Sequence, residues 1–226
     1  MFIDEVDLTV TDVAAAASFF TDVLELPTRP AGSAVEMAVG RTVVRLSPAR
    51  EVPGVHHIAF DIPSSGFGAH RDWLAARVPL LRNAEGASEF EGPPGWNSRS
   101  LYFAGPDRMV LELIARRERP RPTIRVPELV SVSEVGIAVP EVSTAVTVVG
   151  DWLGADVLGA ASDTFAPVGD HDGLLILVRT GRAWLPVFDE QAQPLPLRVQ
   201  VSLGGEPAAG SRRTLPLTGL ATVVAG

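Results

Sequence analysis

Two residues stand out for the chemistry their surroundings demand. His57 lies in the apolar run Val55-His56-His57-Ile58-Ala59-Phe60-Asp61-Ile62, and Glu112 in Met109-Val110-Leu111-Glu112-Leu113-Ile114. Runs of this length, rich in branched and aromatic residues, read as strands with at least one covered face. Side chains alternate along a strand, so His57, Ala59 and Asp61 share one face and Ile58, Phe60 and Ile62 the other. Glu112 likewise points away from Leu111 and Leu113. A histidine and a carboxylate on faces otherwise meant for burial are costly unless paired, and metal coordination is one way of pairing them.

The elements that must position these residues form an internal repeat. Glu5-Val6-Asp7-Leu8-Thr9-Val10, His57-Ile58-Ala59-Phe60-Asp61-Ile62 and Glu134-Val135-Gly136-Ile137-Ala138-Val139 superimpose. In each, an ionisable residue opens a strand whose second, fourth and sixth residues are large and apolar. A helical pattern follows every time. Asp12 is placed to cap residues 13–26, with Ala16, Phe20, Val23 and Leu24 on one stripe. Ser64 or Ser65 is placed to cap a helix through Trp73-Leu74 to Val78. The third helix carries Val142, Ala145, Val146, Val149 and Leu153, with Gly154 at its C-cap.

Strands return after each helix: 34–39 and 41–47 around Gly40, 98–104 and 109–115 around Gly105-Pro106-Asp107, then 164–168 and 174–178. Such units suit an α+β protein of paired βαβββ modules, with helices covering one face of curled, mixed sheets. The first unit spans 1–52 and the second 53–118, together making one domain. A proline-bearing linker at 119–128 leads to a second domain at 129–226, which holds a third unit at 129–190 and a truncated fourth. In that fourth unit 197–203 alternates as a strand and 215–225 offers one or two more, with no helix between them.

Composition excludes several function classes. A hydrophobic fraction of 46% with 20% charged residues is that of an ordinary globular chain. No apolar run approaches the ~20 residues needed to cross a bilayer, and the start of the chain has no secretory signal pattern. Zero cysteines rule out disulfides, thiolate ligands and a cysteine nucleophile, which fits a cytoplasmic protein. A net charge of -8 argues against a nucleic-acid surface. The one basic cluster, Arg116-Arg117-Glu118-Arg119-Pro120-Arg121, reads as a solvated linker. There is no Gly-x-Ser-x-Gly elbow and no Gly-Lys-Ser phosphate loop.

His56-His57-Ile58-Ala59-Phe60, Trp96-Asn97-Ser98-Arg99-Ser100-Leu101-Tyr102-Phe103 and Leu111-Glu112-Leu113-Ile114-Ala115-Arg116, set in strand-helix-meander units, resemble the vicinal oxygen chelate superfamily. That superfamily includes glyoxalases, bleomycin- and fosfomycin-resistance proteins and extradiol dioxygenases. Ala166-Pro167-Val168-Gly169-Asp170 and Gly181-Arg182-Ala183-Trp184-Leu185-Pro186 extend the likeness into the third unit. The resemblance implies that two units pair to curl their sheets into a cup, with metal ligands from first and last strands pointing inward. Carried onto this chain, those places are Glu5, His57, Arg45 and Glu112. Arg45 departs from the pattern, because a guanidinium cannot bind a cation. Glu5, His57 and Glu112 then remain as a dioxygenase-like triad for Fe, Mn, Zn or Ni. In the third unit Glu134 keeps the first-strand place while Leu177 takes the one corresponding to Glu112, so the second half reads as structural.

The resemblance thus implies a divalent-metal enzyme of dioxygenase, lyase or isomerase type acting on a small oxygen-chelating molecule. Glu5 would serve as ligand or general base, and Arg45 would anchor substrate charge. Trp96 and Phe90 precede the strand entering the cup and are candidates for a pocket lining, with ordinary core as the alternative. The competing function is a metal-free binding protein of the bleomycin-resistance type, in which Arg45 neutralises Glu5 and Glu112. His56 reads as a packed or hydrogen-bonded residue, His70 as an interface or surface position, and His171 as a turn residue. No nucleic-acid or membrane partner is expected, and a homodimer stays open.

Overall fold

A computed structural model of the chain describes residues 1–118, 120–186, 189–204 and 212–226. The four units appear in order. The first comprises β1 (Phe2–Val10), α1 (Val13–Leu24), β2 (Thr28–Ala31), β3 (Ala34–Val39) and β4 (Thr42–Pro48). The second comprises β5 (His57–Asp61), α2 (Phe67–Ala75) behind a short 3-10 turn, β6 (Phe90–Glu91), β7 (Ser98–Ala104) and β8 (Val110–Arg116). The third holds β9 (Ser131–Val139), α3 (Val142–Leu153), β10 (Phe165–Asp170) and β11 (Gly173–Arg179), and the fourth β12 (Leu197–Ser202), β13 (Arg213–Pro216) and β14 (Ala221–Ala225). Among the described residues, no helix joins β12 to β13.

Local rules explain the helices. Asp12 caps α1 by accepting from the Ala15 amide at 2.9 Å, and α1 buries Ala16, Phe20 and Leu24 at four-residue spacing. It stops at Glu25, whose φ is 55°, two residues short of the expected end. α3 buries Val142, Ala145, Val149 and Leu153 and stops at Gly154, φ 66°. α2 has no side-chain cap; Ser65 instead donates to the Arg121 carbonyl at 2.7 Å.

How the units pair differs from expectation. One seven-stranded sheet runs β13-β14-β12-β1-β4-β3-β2 and the other β10-β11-β9-β5-β8-β7-β6. The first unit therefore shares a sheet with the fourth, and the second with the third. β1 lies antiparallel to β12, and β5 antiparallel to β9. Both sheets thus contain strands from either side of the 119–128 segment, whose first residue lies outside the described set. The cup expected from the first two units is not formed.

One core takes residues from both sheets and all three helices, among them Phe20, Leu46, Phe60, Leu111, Val135 and Val149. Two polar features tie the sheets together. Thr42 donates its hydroxyl to the Ile3 carbonyl at 2.8 Å and accepts from the Val132 amide at 3.0 Å. Gly40, in the turn between β3 and β4, has φ 54°, and a Cβ there would lie 1.8 Å from the Val130 carbonyl oxygen. Only glycine lets the turn come this close. His70 is also structural: it is fully buried, with Nδ1 donating to the Gly66 carbonyl at 2.8 Å and Nε2 accepting from the Glu128 amide at 2.9 Å. It is neither an interface nor a surface residue.

Candidate metal centre

The second sheet has two covered faces. Ile58, Phe60, Leu111, Leu113, Val132 and Val135 point into the main core. On the opposite face, register alone brings four side chains into one row. Ala59 lies between Glu112 on β8 and Glu134 on β9, and Glu112 is flanked on β7 by Tyr102. Neighbours in register share a face, so the methyl of Ala59 leaves the space into which both carboxylates project. His57, two residues before Ala59, points the same way. A single β-bulge makes this possible. Ala59 pairs with Glu134 and Phe60 with Val132, so Ser133 is the extra residue. The bulge lets Val132 and Val135, three apart, both face the core while Glu134 faces the cleft.

One ligand atom each from His57, Glu112 and Glu134 lies within 4.8 Å of the other two, and all three residues are buried. It is the one such group of three among the described residues. His57 Nδ1 donates to the Val110 carbonyl at 3.0 Å, so in the neutral ring Nε2 carries the lone pair. That nitrogen faces Glu112 Oε2 at 3.6 Å, too far for a hydrogen bond. Burial pulls the His57 pKa down to about 4, and nearby Arg182 adds to the effect, while the Val110 carbonyl opposes it. The pair is therefore a neutral imidazole beside a carboxyl group, not an ion pair.

Both carboxyls resist ionisation. Burial, followed by repulsion from Glu134, raises Glu112 to about 8 against the opposing pull of Ser100, Arg116 and Tyr102. Glu134 is also raised by burial, although Arg116 works against it. Arg116 is 1% exposed and donates to Glu134 Oε1 and, at 3.1 Å, to the Ser133 hydroxyl. Tyr102 is held well above the ordinary phenol value by burial and by the two carboxylates, so it stays a proton donor.

The cleft over these groups is small, about 90 Å³, and its lining includes Trp96, Tyr102, Phe165 and Trp184. Trp184 lies tilted at 31° over His57, ring centroids 5.0 Å apart, which is possible because Gly136 lies beneath it: a Cβ there would sit 2.5 Å from the Trp184 ring and 3.0 Å from His57 Cβ. Trp96 lines the cleft 6.2 Å from Phe165 and donates its indole N–H to the Leu158 carbonyl at 3.3 Å. Phe90 stands behind the lining, edge-on to Tyr102 at 5.5 Å.

Glu5 and Arg45 are elsewhere. Glu5 lies on the first sheet, half-exposed, 3.3 Å from Arg198. Arg45 pairs with Glu36 at 2.8 Å and Asp7 at 3.8 Å, and touches neither Glu5 nor Glu112 among the described ion pairs. The two sheets nevertheless share a plan. β1 bulges at Asp4 as β9 does at Ser133, which sets Glu5 opposite Gln200, and Gln200 pairs in turn with Val224. The row Glu112–Ala59–Glu134 thus has the counterpart Val224–Gln200–Glu5, and Arg198 takes the place of His57. With an arginine and a valine at two ligand places, the first sheet is the degenerate one. On the second sheet the counterpart of Glu112 is Ile176, which pairs with Gly136; Leu177 faces the main core.

Arg116 and Glu134 are among the residues of the site that the sequence does not single out. Arg116 was assigned to the solvated cluster, yet it shares a face with Glu112 by strand parity. Glu134 was recognised as a first-strand residue but given no partner. His56 is buried and bonded to Thr9 at 3.2 Å, as expected, and His171 lies in the turn between β10 and β11.

No family model and no curated protein sequence matches the chain. Solved structures do. A candidate dioxygenase from Bacillus subtilis superimposes over 100% of this chain and 85% of its own, with 12% identity and a TM-score of 0.63. A glyoxalase I mutant from Zea mays matches over 99% of this chain and 93% of its own, at 13% identity and TM-score 0.58. A second maize glyoxalase I mutant covers 88% and 74%, at 15% identity and TM-score 0.54. The chain has the vicinal oxygen chelate fold. In that fold its second and third units make the cup that holds His57, Glu112 and Glu134, and its first and fourth make the cup that holds the Glu5–Arg198 pair. No described helix is long and apolar enough to cross a membrane.

Proposed function

We propose that His57, Glu112 and Glu134 bind one divalent metal ion, and that the chain is an enzyme acting on a small molecule that chelates through neighbouring oxygens. The observation that carries this is the convergence of three buried donor groups within 4.8 Å, with the imidazole lone pair freed by the Nδ1 bond to Val110. The residues fit the ion. One nitrogen and two carboxylates suit Fe, Mn, Zn or Ni. Three protein ligands leave places for substrate oxygens.

When bound, the metal would supply Lewis acidity toward a developing oxyanion. The remaining work falls to the chain. Arg116 engages Oε1 of Glu134, fixing the carboxylate while leaving it a second oxygen. Tyr102 offers a phenolic proton beside Glu112. Trp96, Trp184 and Phe165 exclude water, which strengthens each electrostatic contact in the cleft. A volume of about 90 Å³ restricts the substrate to a small molecule. Chemistry of the dioxygenase, lyase or isomerase type is compatible with this arrangement.

The second reading, a metal-free binding protein, draws on the Arg116–Glu134 ion pair, which neutralises one carboxylate without a metal. A titration separates the two. Protein purified without a histidine tag is stripped with chelator and titrated with Mn(II), Fe(II), Zn(II) and Ni(II), then with catechol. Binding of one metal per chain, followed by catechol binding to the loaded protein alone, supports the enzyme reading. Absence of stoichiometric metal binding overturns it.

A further inference from the structure

Among the described residues, Arg182 is a cation of the cleft with no paired anion. It lines the same cavity as His57, Glu112 and Glu134, half-buried, with its guanidinium 5.2 Å from the Phe165 ring centroid. No carboxylate pairs with it among the described ion pairs, and its one described side-chain hydrogen bond is a long 3.4 Å contact to the Ala183 carbonyl. Arg116, by contrast, holds Glu134 and Ser133 through Nε and Nη2, and only its Nη1 is buried without a hydrogen-bond partner among the described residues.

The backbone around Arg182 is fixed. Its amide donates to the Arg179 carbonyl at 2.9 Å and its carbonyl accepts from the Ala192 amide at 2.8 Å. Two residues on, the Trp184 amide donates to the Glu190 carbonyl at 2.8 Å, which anchors the indole over His57. The guanidinium is thus presented on a pinned turn, 5.2 Å from the centroid of an aromatic ring, with most of its five donors uncommitted. A partly desolvated guanidinium in that state favours a planar oxyanion able to take two of its N–H groups at once.

We infer that Arg182 is the specificity-determining residue of the cleft and binds a carboxylate carried by the substrate, apart from the oxygens that chelate. The substrate class is then a small carboxylic acid bearing a separate pair of vicinal oxygens. This rests on the metal reading above. It also moves the anion anchor, expected at Arg45, to the third unit.

The test compares catechol with 2,3- and 3,4-dihydroxybenzoate on Zn(II)-loaded protein, in the parent and in Arg182→Met and Arg182→Lys. A charge-assisted bidentate contact should make at least one of the acids bind about tenfold or more tighter than catechol. Arg182→Met should abolish that preference and Arg182→Lys should restore part of it, the preference being read in each variant as the ratio of acid to catechol affinity on its own Zn(II)-loaded protein. Catechol binding without any preference for the acids, or a preference that survives Arg182→Met, overturns the role of Arg182 and leaves the metal reading intact. Failure of the parent to bind Zn(II) or catechol overturns both. Unfolding curves of the variants show whether a lost preference reflects a lost fold, and Arg182→Lys gives the reading should Arg182→Met unfold.

Discussion

Glu134 sits directly opposite Ala59, one residue past the bulge at Ser133, and this places it in line with Glu112 across a strand that contributes only a methyl group between them. Two carboxylates that close in a buried site cannot both ionise without a compensating cation. Arg116 supplies one positive charge, bound to Glu134. A divalent metal ion facing His57 would more than offset the remaining negative charge.

Metal binding should therefore release a proton. At pH 7 His57, with its pKa near 4, is already neutral and contributes none. Glu112, raised to about 8, is mostly protonated and must lose its proton to ligate. Calorimetry at pH 7 in buffers of different ionisation enthalpy should show net proton release on metal binding, with affinity falling as pH drops below about 8. Glu112→Gln should remove most of that release and weaken the site.

The metal-free protein should show two opposed pH effects. His56 and His57 have folded pKa values below the unfolded one, near 4 against 6.5, so their contribution is present above 6.5 and is lost as pH falls toward 4. Glu112 has a folded value above the unfolded 4.5, so its contribution is present below 4.5 and is lost as pH rises through 8. Urea unfolding of apoprotein should thus show Glu112→Gln gaining stability relative to the parent between pH 5 and pH 9, by an amount on the order of a few kcal/mol.

Removing Arg116 should be costly without metal and less so with it. Arg116→Met leaves Glu134 buried and unpaired, a loss of about 3–5 kcal/mol for a broken buried pair. A metal would replace part of the missing charge. Thermal melts should show the variant stabilised by added Zn(II) much more than the parent.

Gly136→Val tests the floor of the cleft. Its new side chain meets Trp184 and His57 closer than van der Waals contact allows. Overpacking of this kind costs about 1–3 kcal/mol. Trp184 fluorescence should shift and metal affinity should fall, while the far-UV spectrum stays that of the parent.

Much of the fold was legible because each unit repeats one pattern: an ionisable residue, an alternating strand, a helical stripe, a meander. The short edge strands β2 and β6 were not, since four and two residues carry too little periodicity to register. His57 and Glu112 were legible as ionisable groups inside apolar strands. Their third partner was not, because strand sequences do not say which neighbour they pair with. Glu5 and Glu134 open their strands in the same way, and only the pairing of β5 with β9, in place of β1, selects Glu134. Arg116 was hidden by its neighbours: Arg117 and Glu118 are surface groups, and parity with Glu112 was the one available signal.

The central claim is that Glu134, and not Glu5, completes the site with His57 and Glu112. Elemental analysis of untagged protein after reconstitution with Zn(II) tests it most directly, in the parent and in His57→Ala, Glu134→Ala and Glu5→Ala. One metal per chain is expected in the parent and in Glu5→Ala, and loss of metal in His57→Ala and Glu134→Ala. Metal retained in Glu134→Ala but lost in Glu5→Ala, or no metal in the parent, would contradict it.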